Sequence, residues 1–198
     1  MTSRQSTRTA DAAGDQVTPE DHVILMDDDG TPRGLAPRAT VHTTDTPLHL
    51  AFSCYVVDSD GQVLLTRRAL TKRTWPGVWT NSFCGHPRQG ESFSDAITRH
   101  AEHELGMEVN DPEEALPGFR YRAVDASGVV ENEICPVFVA VAASEPVPHH
   151  EEVMDLRWVS PAELAALVEL APWTLSPWTT SQVPQLREVL ERIPASTS

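Results

Sequence analysis

The stretch GHPRQGESFSDAITRHAEHELGM, residues 85–107, is the most informative part of the sequence for the fold. Its segment SFSDAITRHAEHEL is predicted to form a helix, because Ser92 or Ser94 can cap the N-terminus. Gly106 stands where a C-capping glycine belongs, since glycine readily adopts the left-handed conformation that ends many helices. By itself the pattern fits an amphipathic surface helix after a glycine turn, but the spacing of its charged residues carries more information.

The composition is that of an ordinary globular protein. The chain has 198 residues, of which 40% are hydrophobic and 22% charged, enough for one domain with a sizeable core. A net charge of −14 argues against nucleic acid or an anionic membrane as the main partner. A small anionic substrate stays possible, because a local basic cluster can bind it.

Several features predict a cytoplasmic protein. There is no run of about 18 apolar residues to span a membrane, and the N-terminus lacks the apolar stretch of a secretory signal. The three cysteines, Cys54, Cys84 and Cys135, suit a reduced compartment. We expect a disordered tail at residues 1–18, a single domain at 19–193 and a flexible tail at 194–198. We also expect a monomer, because no long exposed apolar helix or heptad is visible.

Strand and helix patterns alternate along the body of the chain. Strand pairs around Asp-Gly turns are predicted at 21–34 and 50–69, and one further strand at 78–87. Later strands are predicted at 119–124, 132–142 and 155–159, and helices at 160–170 and 181–193. This order predicts an α+β fold, a mixed β-sheet core flanked by helices in an α/β sandwich.

Histidines, cysteines and glutamates recur in short segments around these strands. Cys84 and His86 are two residues apart in a strand-like stretch, so their side chains are predicted to share a face, as are those of Glu131 and Glu133. The candidate ligands for Mn²⁺, Zn²⁺, Fe²⁺ or Mg²⁺ are His42, His49, His86, Glu131 and Glu133. A structural zinc site on Cys84 and His86 is the alternative, although the second cysteine pair of such sites is missing.

Basic residues and tryptophans form two further groups. Four of the fifteen basic residues lie within residues 67–73, a run that is either solvated surface or a binding site for a diphosphate. Trp75, Trp79 and Trp173 are expected in the core rather than in a site.

The charged positions of residues 85–107 resemble the signature of Nudix proteins. The matching residues are Gly85, Glu91, Arg99, Ala101, Glu104, Gly106 and Met107. His100 and His103 replace two of the acidic positions that hold Mg²⁺ in the hydrolases, a cation that prefers oxygen ligands. The resemblance thus implies a Nudix-type fold, with Glu104 retained as a Mg²⁺ ligand and the hydrolase cluster incomplete.

Six further segments are similar to those of type 1 isopentenyl-diphosphate isomerases and occur in the same order, and the likeness as a whole runs from about residue 21 to 185. They are LHLAFS (48–53), TRRALTKRTWPGVW (66–79), TNSFCGHP (80–87), FRYRA (119–123), ENEICPVF (131–138) and PWTLSPW (172–178). This resemblance implies an enzyme of isoprenoid biosynthesis that interconverts isopentenyl and dimethylallyl diphosphate by adding and removing protons.

The resemblance also implies roles for individual residues. Cys84 and Glu133 fall on the catalytic positions, Tyr121 on a tyrosine near the catalytic glutamate, and Trp178 on an aromatic over the reacting carbons. The residues on the positions that bind a divalent metal (Mn²⁺, Zn²⁺ or Mg²⁺) are His42, His49, His86, Glu131 and Glu133. Those on positions that bind the diphosphate are Glu104 through Mg²⁺, and Arg38, Arg68, Lys72 and His100 directly. His100 departs from the family, which often has arginine there.

Two other functions stay open from the sequence. One is a Nudix pyrophosphohydrolase, which would need the acids that His100 and His103 replace, and the other is a non-catalytic Nudix-like sensor that binds an isoprenoid diphosphate or a metal. Neither requires Cys84 and Glu133 together. Which of these two groups donates the proton in the forward direction also stays open.

Overall fold

A computed structural model describes residues 22–192, so the predicted tails at 1–18 and 194–198 lie outside the described residues. The strands are β1 (His22–Met26), β2 (Pro32–Pro37), β3 (His49–Leu50), β4 (Phe52–Val57), β5 (Val63–Arg68), β6 (Trp79–Thr80), β7 (Phe83–Gly85), β8 (Val109–Leu116), β9 (Arg120–Val124), β10 (Val130–Ile134), β11 (Val137–Ala142) and β12 (Val153–Val159). The helices are α1 (Arg38–Val41), α2 (Phe93–Leu105), α3 (Pro161–Leu170) and α4 (Pro177–Arg192), with a 3₁₀ turn at Pro172–Thr174. Within this range no helix has the length and apolarity needed to cross a membrane.

Two mixed sheets meet where β3 continues into β4 and β10 continues into β11. The first has the order β2-β1-β3-β10-β9, and the second has the order β12-β5-β4-β11-β8, with β6 beside β5 and β7 beside β4. β3 and β4 follow each other directly and pair in parallel with β10 and β11. Backbone hydrogen bonds from Ala51 to Ile134 (2.9 Å) and from Ser53 to Pro136 (3.1 Å) continue the ladder across the junction. The predicted α+β fold is confirmed.

The second sheet separates two hydrophobic clusters, because the residues of β4 alternate between its faces. Phe52 and Cys54 pack with Ile97 and Leu105 of α2. Tyr55 packs on the other side with Trp178 of α4 and its neighbours. Alternate residues of β4 therefore face α2 on one side of the sheet and α4 on the other. The α4 side, which includes Tyr55, also carries the candidate catalytic residues.

The central helix α2 matches its prediction closely. The Ser92 side chain caps it by accepting a hydrogen bond from the Asp95 amide (3.1 Å). Gly106 ends it in the left-handed conformation, with a φ of 55°. A side chain at Gly106 would place a Cβ 2.7 Å from the Val147 carbonyl oxygen, so this position requires glycine.

Several local predictions are corrected by the structure. The strand predicted at 78–87 is interrupted between β6 and β7, and His86 lies beyond β7. β8 and α1 were not predicted, and α4 begins at Pro177 rather than at 181 with Pro184 inside it. Trp173 was expected in the core but is 78% exposed, because it lies in the 3₁₀ turn on the surface.

Candidate active site

Three predicted site residues stand side by side across the first sheet. Glu133 of β10 is directly opposite His49 of the parallel strand β3 and opposite Tyr121 of the antiparallel strand β9. Paired residues on neighbouring strands point to the same face, so the three side chains share one surface. Glu131, two residues before Glu133, faces the same way.

The predicted metal ligands come together beside this row; we call His42, His49, His86, Glu131 and Glu133 the histidine–glutamate cluster. One donor atom from each of the three histidines and from Glu133 lies within 4.8 Å of the others. The Nε2 atoms of His49 and His86 lie 3.5 and 3.6 Å from Glu133 Oε1. His42 Nε2 lies 3.0 Å from Glu131 Oε2.

The polar atoms of the cluster fit a bound cation. His49 Nδ1 lies 2.9 Å from the Pro47 carbonyl oxygen, which can only accept, so Nδ1 carries the proton and Nε2 offers a lone pair. Nε2 of His49 and Nε2 of His86 are buried without a hydrogen-bond partner, and Oε2 of Glu131, although 3.0 Å from His42 Nε2, is buried without a hydrogen bond of suitable geometry. Burial lowers the pKa of His86 to about 4, which keeps this imidazole neutral. Neutral imidazoles and carboxylates are the ligands that divalent metals take in proteins.

Glu133 is held in its ionised form by its neighbours. Burial works against ionisation, but the adjacent imidazoles of His49 and His86 outweigh it and hold the pKa of Glu133 well below its ordinary value. Glu131 is oriented by a different residue, since Thr74 donates a 2.7 Å hydrogen bond to its Oε1. The cluster therefore contains two buried carboxylates, and one of them, that of Glu131, is oriented by Thr74, a residue outside the cluster.

Cys84 approaches the same region from β7, where it is opposite Ser53 of β4. Its Sγ atom lies 3.3 Å from Ser53 Oγ and 3.3 Å from Asn81 Oδ1. Burial raises the pKa of the Cys84 thiol to about 12, and the negative charge of Glu133 acts in the same direction. The side chain is a neutral thiol near a carboxylate on another strand, a pair that can donate and accept a proton.

Aromatic rings line the region next to Cys84. Trp178, at the start of α4, is almost fully buried, and its ring centroid lies 5.5 Å from that of Tyr121. Trp75 meets Trp178 edge to face at 5.3 Å, and its backbone has a φ of 46°, a conformation that a residue with a side chain rarely adopts. The Arg68 guanidinium lies 5.6 Å from the centroid of the Trp178 ring. These rings give the site an apolar wall with a cation at its edge.

A second polar group, which we call the charged corner, consists of Arg68, Lys72, His100, Glu104 and Glu152. Lys72 pairs with Glu152 and lies 3.8 Å from Glu104, while His100 Nδ1 lies 2.9 Å from Glu104. Although burial would raise the pKa of Glu104, Lys72 and the other cations lower it, so this carboxylate is ionised. Arg68 donates two hydrogen bonds to the Thr74 carbonyl.

The other predicted cation, Arg38, is exposed on α1 and makes no ion pair or hydrogen bond within the described part of the chain. Arg73, in the basic run 67–73, donates a 2.8 Å hydrogen bond to the Ala39 carbonyl and so connects this run to α1.

Side chains of residues 85–107 hold parts of this site in place. Arg99 forms an ion pair with Glu91 (2.7 Å) and donates to the His86 carbonyl (3.2 Å), which holds the loop that presents His86. A Cβ on Gly85 would come 2.4 Å from Nε2 of His100, so glycine lets this imidazole lie against the strand. His103 is exposed and stacks on His149, whereas His100 pairs with Glu104. The two histidines that replace acids are therefore not equivalent.

Sequence reasoning missed four residues of the site. Thr74, Trp75, Asn81 and Glu152 each contact a predicted site residue through a side chain. Trp75 and Thr74 lie inside the matching segment 66–79, which was the available signal. Asn81 likewise lies inside the matching segment 80–87, whereas the contact of Glu152 depends on the tertiary fold and no local pattern indicates it.

Comparisons with known proteins agree with this architecture. The NUDIX domain family model matches residues 47–180. Among solved structures, DR0079 from Deinococcus radiodurans has a TM-score of 0.63 at 16% identity, covering 83% of this chain and 98% of that one. The MutT NUDIX hydrolase from Burkholderia pseudomallei has a TM-score of 0.54 at 22% identity, covering 70% and 98%. At these identities the structures support the fold alone.

Curated relatives are much closer in sequence. The isopentenyl-diphosphate Delta-isomerase of Clavibacter michiganensis is 60% identical over 164 residues, 83% of this chain and 84% of that protein. That of Kocuria rhizophila is 57% identical over 175 residues, 87% and 97% of the two chains, and that of Klebsiella pneumoniae is 52% identical over 158 residues, 80% and 86%. The chain therefore belongs to the isopentenyl-diphosphate Delta-isomerase family of NUDIX-domain proteins.

Proposed function

We propose that this protein interconverts isopentenyl diphosphate and dimethylallyl diphosphate by protonation and deprotonation. The observation that carries the proposal is that Cys84, Tyr121 and Trp178 pack in one cluster of side chains, in which Tyr121 is opposite the metal-ligand candidate Glu133. The family relationship supports the same reaction. A hydrolase would need the acids that His100 and His103 replace.

The reaction needs two groups that exchange one proton each with the substrate. An alkene is a weak base, so a positioned acid must protonate its terminal methylene carbon. This step leaves a tertiary carbocation, and loss of a proton from the neighbouring methylene carbon forms the new double bond. One of Cys84 and Glu133 donates and the other accepts, and the roles reverse in the opposite direction. Tyr121, opposite Glu133 on the neighbouring strand, is placed to pass or hold the proton at the carboxylate.

Trp178 stabilises the cationic intermediate in this proposal. An aromatic face attracts a desolvated cation by about 2 kcal/mol. The ring is only 2% exposed, and Trp75 and Tyr121 pack against it. Such a wall also keeps out water, which would otherwise capture the carbocation.

Two cation sites complete the proposal. The histidine–glutamate cluster would hold one divalent ion, Mn²⁺, Zn²⁺ or Mg²⁺, whose charge would set the protonation of the Glu133 carboxyl. Glu104 would hold Mg²⁺ delivered with the substrate diphosphate. Arg68, Lys72, His100 and the nearby Arg38 would bind the diphosphate oxygens, because guanidinium and ammonium groups form charge-assisted hydrogen bonds with phosphates.

The test is turnover of isopentenyl diphosphate by the purified protein with Mg²⁺ and Mn²⁺ in D₂O, followed by NMR. We expect dimethylallyl diphosphate that carries solvent deuterium. Cys84→Ala should remove turnover by a factor of about 10³ or more, since it deletes one of the two proton-transfer groups. Cys54→Ala is the matched control, because Cys54 is a buried thiol on the same sheet that packs against α2 on the other face. Full activity of Cys84→Ala, or release of phosphate without isomerisation, would contradict the proposal.

A further inference from the structure

Asn81 links two residues of the proposed active site through one atom. It is fully buried at the interruption between β6 and β7. Its Oδ1 atom accepts a 2.9 Å hydrogen bond from the indole Nε1 of Trp178 and lies 3.3 Å from the Sγ atom of Cys84. Trp178 and Cys84 come from α4 and β7, so this amide oxygen joins two elements that are distant in sequence.

The orientation of the Asn81 amide is fixed by its partners. Nδ2 donates to the carbonyl oxygens of Cys54 (3.0 Å) and Phe83 (2.7 Å), and carbonyl oxygens can only accept. The indole N–H of Trp178 can only donate, so it requires the oxygen on the opposite side. A flipped amide would break all three hydrogen bonds. The atom that faces Cys84 is therefore Oδ1.

The backbone of Asn81 strengthens the same connection. Its amide N–H donates a 3.0 Å hydrogen bond to Oγ1 of Thr179, the residue after Trp178. Ser176, just before α4, donates its backbone N–H to the Trp79 carbonyl (2.8 Å). The first turn of α4 is thus attached to the strand pair β6–β7 on both sides of Trp178.

We propose that Asn81 is a positioning residue for isomerisation, which fixes the Trp178 ring relative to the Cys84 sulfur. The inference rests on the proposed function, in which the alkene lies between these groups. A displacement of about 1 Å in a catalytic group can lower a rate about 100-fold. Asn81 touches no atom of the substrate in this account, and its effect passes through the two side chains it holds.

A buried asparagine can also be purely structural, and the neighbouring Ser82 provides the control for that role. Ser82 is equally buried, and its Oγ accepts from the Val56 amide (2.7 Å) and donates to the Leu64 carbonyl (2.7 Å). It therefore bonds to the backbone of β4 and β5, as Asn81 does to β4 and β7. Its hydroxyl has no hydrogen bond to Cys84 or Trp178.

The experiment compares Asn81→Leu with Ser82→Ala in the full chain. One readout is kcat and KM for isopentenyl diphosphate; the other is the indole N–H spectrum of ¹⁵N-labelled protein without substrate, with the Trp178 signal assigned from Trp178→Phe. For Asn81→Leu we expect kcat to fall about 100-fold while KM changes less than about threefold, and the Trp178 indole signal to move. For Ser82→Ala we expect kcat within about threefold of the wild type and an unchanged indole signal.

Rescue separates positioning from loss of stability. The carboxyl group of Asn81→Asp is expected to be protonated at this fully buried position, so it keeps an oxygen acceptor for Trp178 and one O–H donor for the carbonyls of Cys54 and Phe83, and it should recover at least about tenfold in kcat over Asn81→Leu. If Asn81→Leu does not fold, Asn81→Ser takes its place with the same expected outcomes. The inference is overturned if Asn81→Leu lowers kcat no more than Ser82→Ala, or if the Trp178 signal stays in place. A wild-type protein without isomerase activity would instead contradict the proposed function, while the indole spectrum still tests the contact.

Discussion

The histidine–glutamate cluster and the charged corner differ in how their polar atoms are satisfied. In the cluster, buried atoms of His49, His86 and Glu131 lack hydrogen-bond partners. In the charged corner, Lys72 pairs with Glu152, and His100 with Glu104. Unpaired buried polar atoms destabilise a folded protein, so the cluster is arranged for an ion that supplies their missing partner. The corner must instead exchange ion pairs when an anionic substrate binds.

This difference orders the expected effects of substitution. In the cluster, His49, Glu131 and Glu133 lie on strands and are buried, so a change there disturbs both the ion and the proton transfer. Corner residues have long side chains with alternative partners, and partly exposed ion pairs contribute about 0.2–1 kcal/mol each. We therefore expect large losses in turnover from the cluster and moderate changes in substrate binding from the corner.

Glu133→Gln should give the largest effect, because this residue is both a candidate ligand and a candidate proton-transfer group. We expect kcat to fall by about 10³-fold or more, measured by NMR turnover of isopentenyl diphosphate. Glu114→Gln, an exposed carboxylate on β8, is the control and should keep wild-type activity. If Glu133→Gln kept more than about a tenth of the activity, the cluster and the chemistry would be separate.

The next largest effect should be a stabilisation of the folded protein when a metal binds to the cluster. Adding Mn²⁺ to chelator-treated protein at about 100 times its Kd should raise the free energy of unfolding by about 2.7 kcal/mol, visible as a higher Tm. His42→Ala should lose most of this gain, whereas His150→Ala, an exposed histidine outside the cluster, should keep it. Equal gains for both variants would place the ion elsewhere.

Lys72→Ala should weaken substrate binding about tenfold in KM and leave kcat within a small factor, because it removes a contact present in both ground and transition states. The control is Arg187→Ala, which removes an exposed cation paired with Glu191 on α4. A drop in kcat with unchanged KM would move Lys72 from substrate binding to the chemical step.

His100→Arg should give the smallest effect, a decrease in KM of about threefold, because a permanent cation replaces an imidazole beside Glu104. The measurement is KM at neutral pH in a variant with the far-UV circular dichroism of the wild type. An increase in KM would show that the close approach of His100 to Gly85 matters more than its charge.

Parts of the fold and of the site that depend on neighbouring residues were predictable from the sequence. The caps Ser92 and Gly106 act within one turn of α2, so its bounds follow from neighbouring residues. The two-residue spacing of Glu131 and Glu133 puts both carboxylates on one face of β10 whatever the rest of the chain does. The part of the site that follows from strand periodicity, the two carboxylates of β10, was therefore predictable.

Other features depend on contacts between distant segments. The parallel pairing of β3 with β10 places His49 opposite Glu133, and no local signal specifies it. Asn81 interrupts a stretch with strand-like composition because its side chain bonds to two strands at once. Lys72 was predicted as a substrate ligand, but its pairing with Glu152, 80 residues away, was not visible in the sequence.

The most direct measurement is a crystal structure of Cys84→Ala with Mg²⁺, Mn²⁺ and isopentenyl diphosphate. The double bond should lie between the place of the missing thiol and the Glu133 carboxylate, about 3–3.5 Å from the Glu133 oxygen, with the diphosphate at Lys72 and Glu104. A hydrocarbon bound outside this gap, or one that has both groups on the same side, would contradict the account.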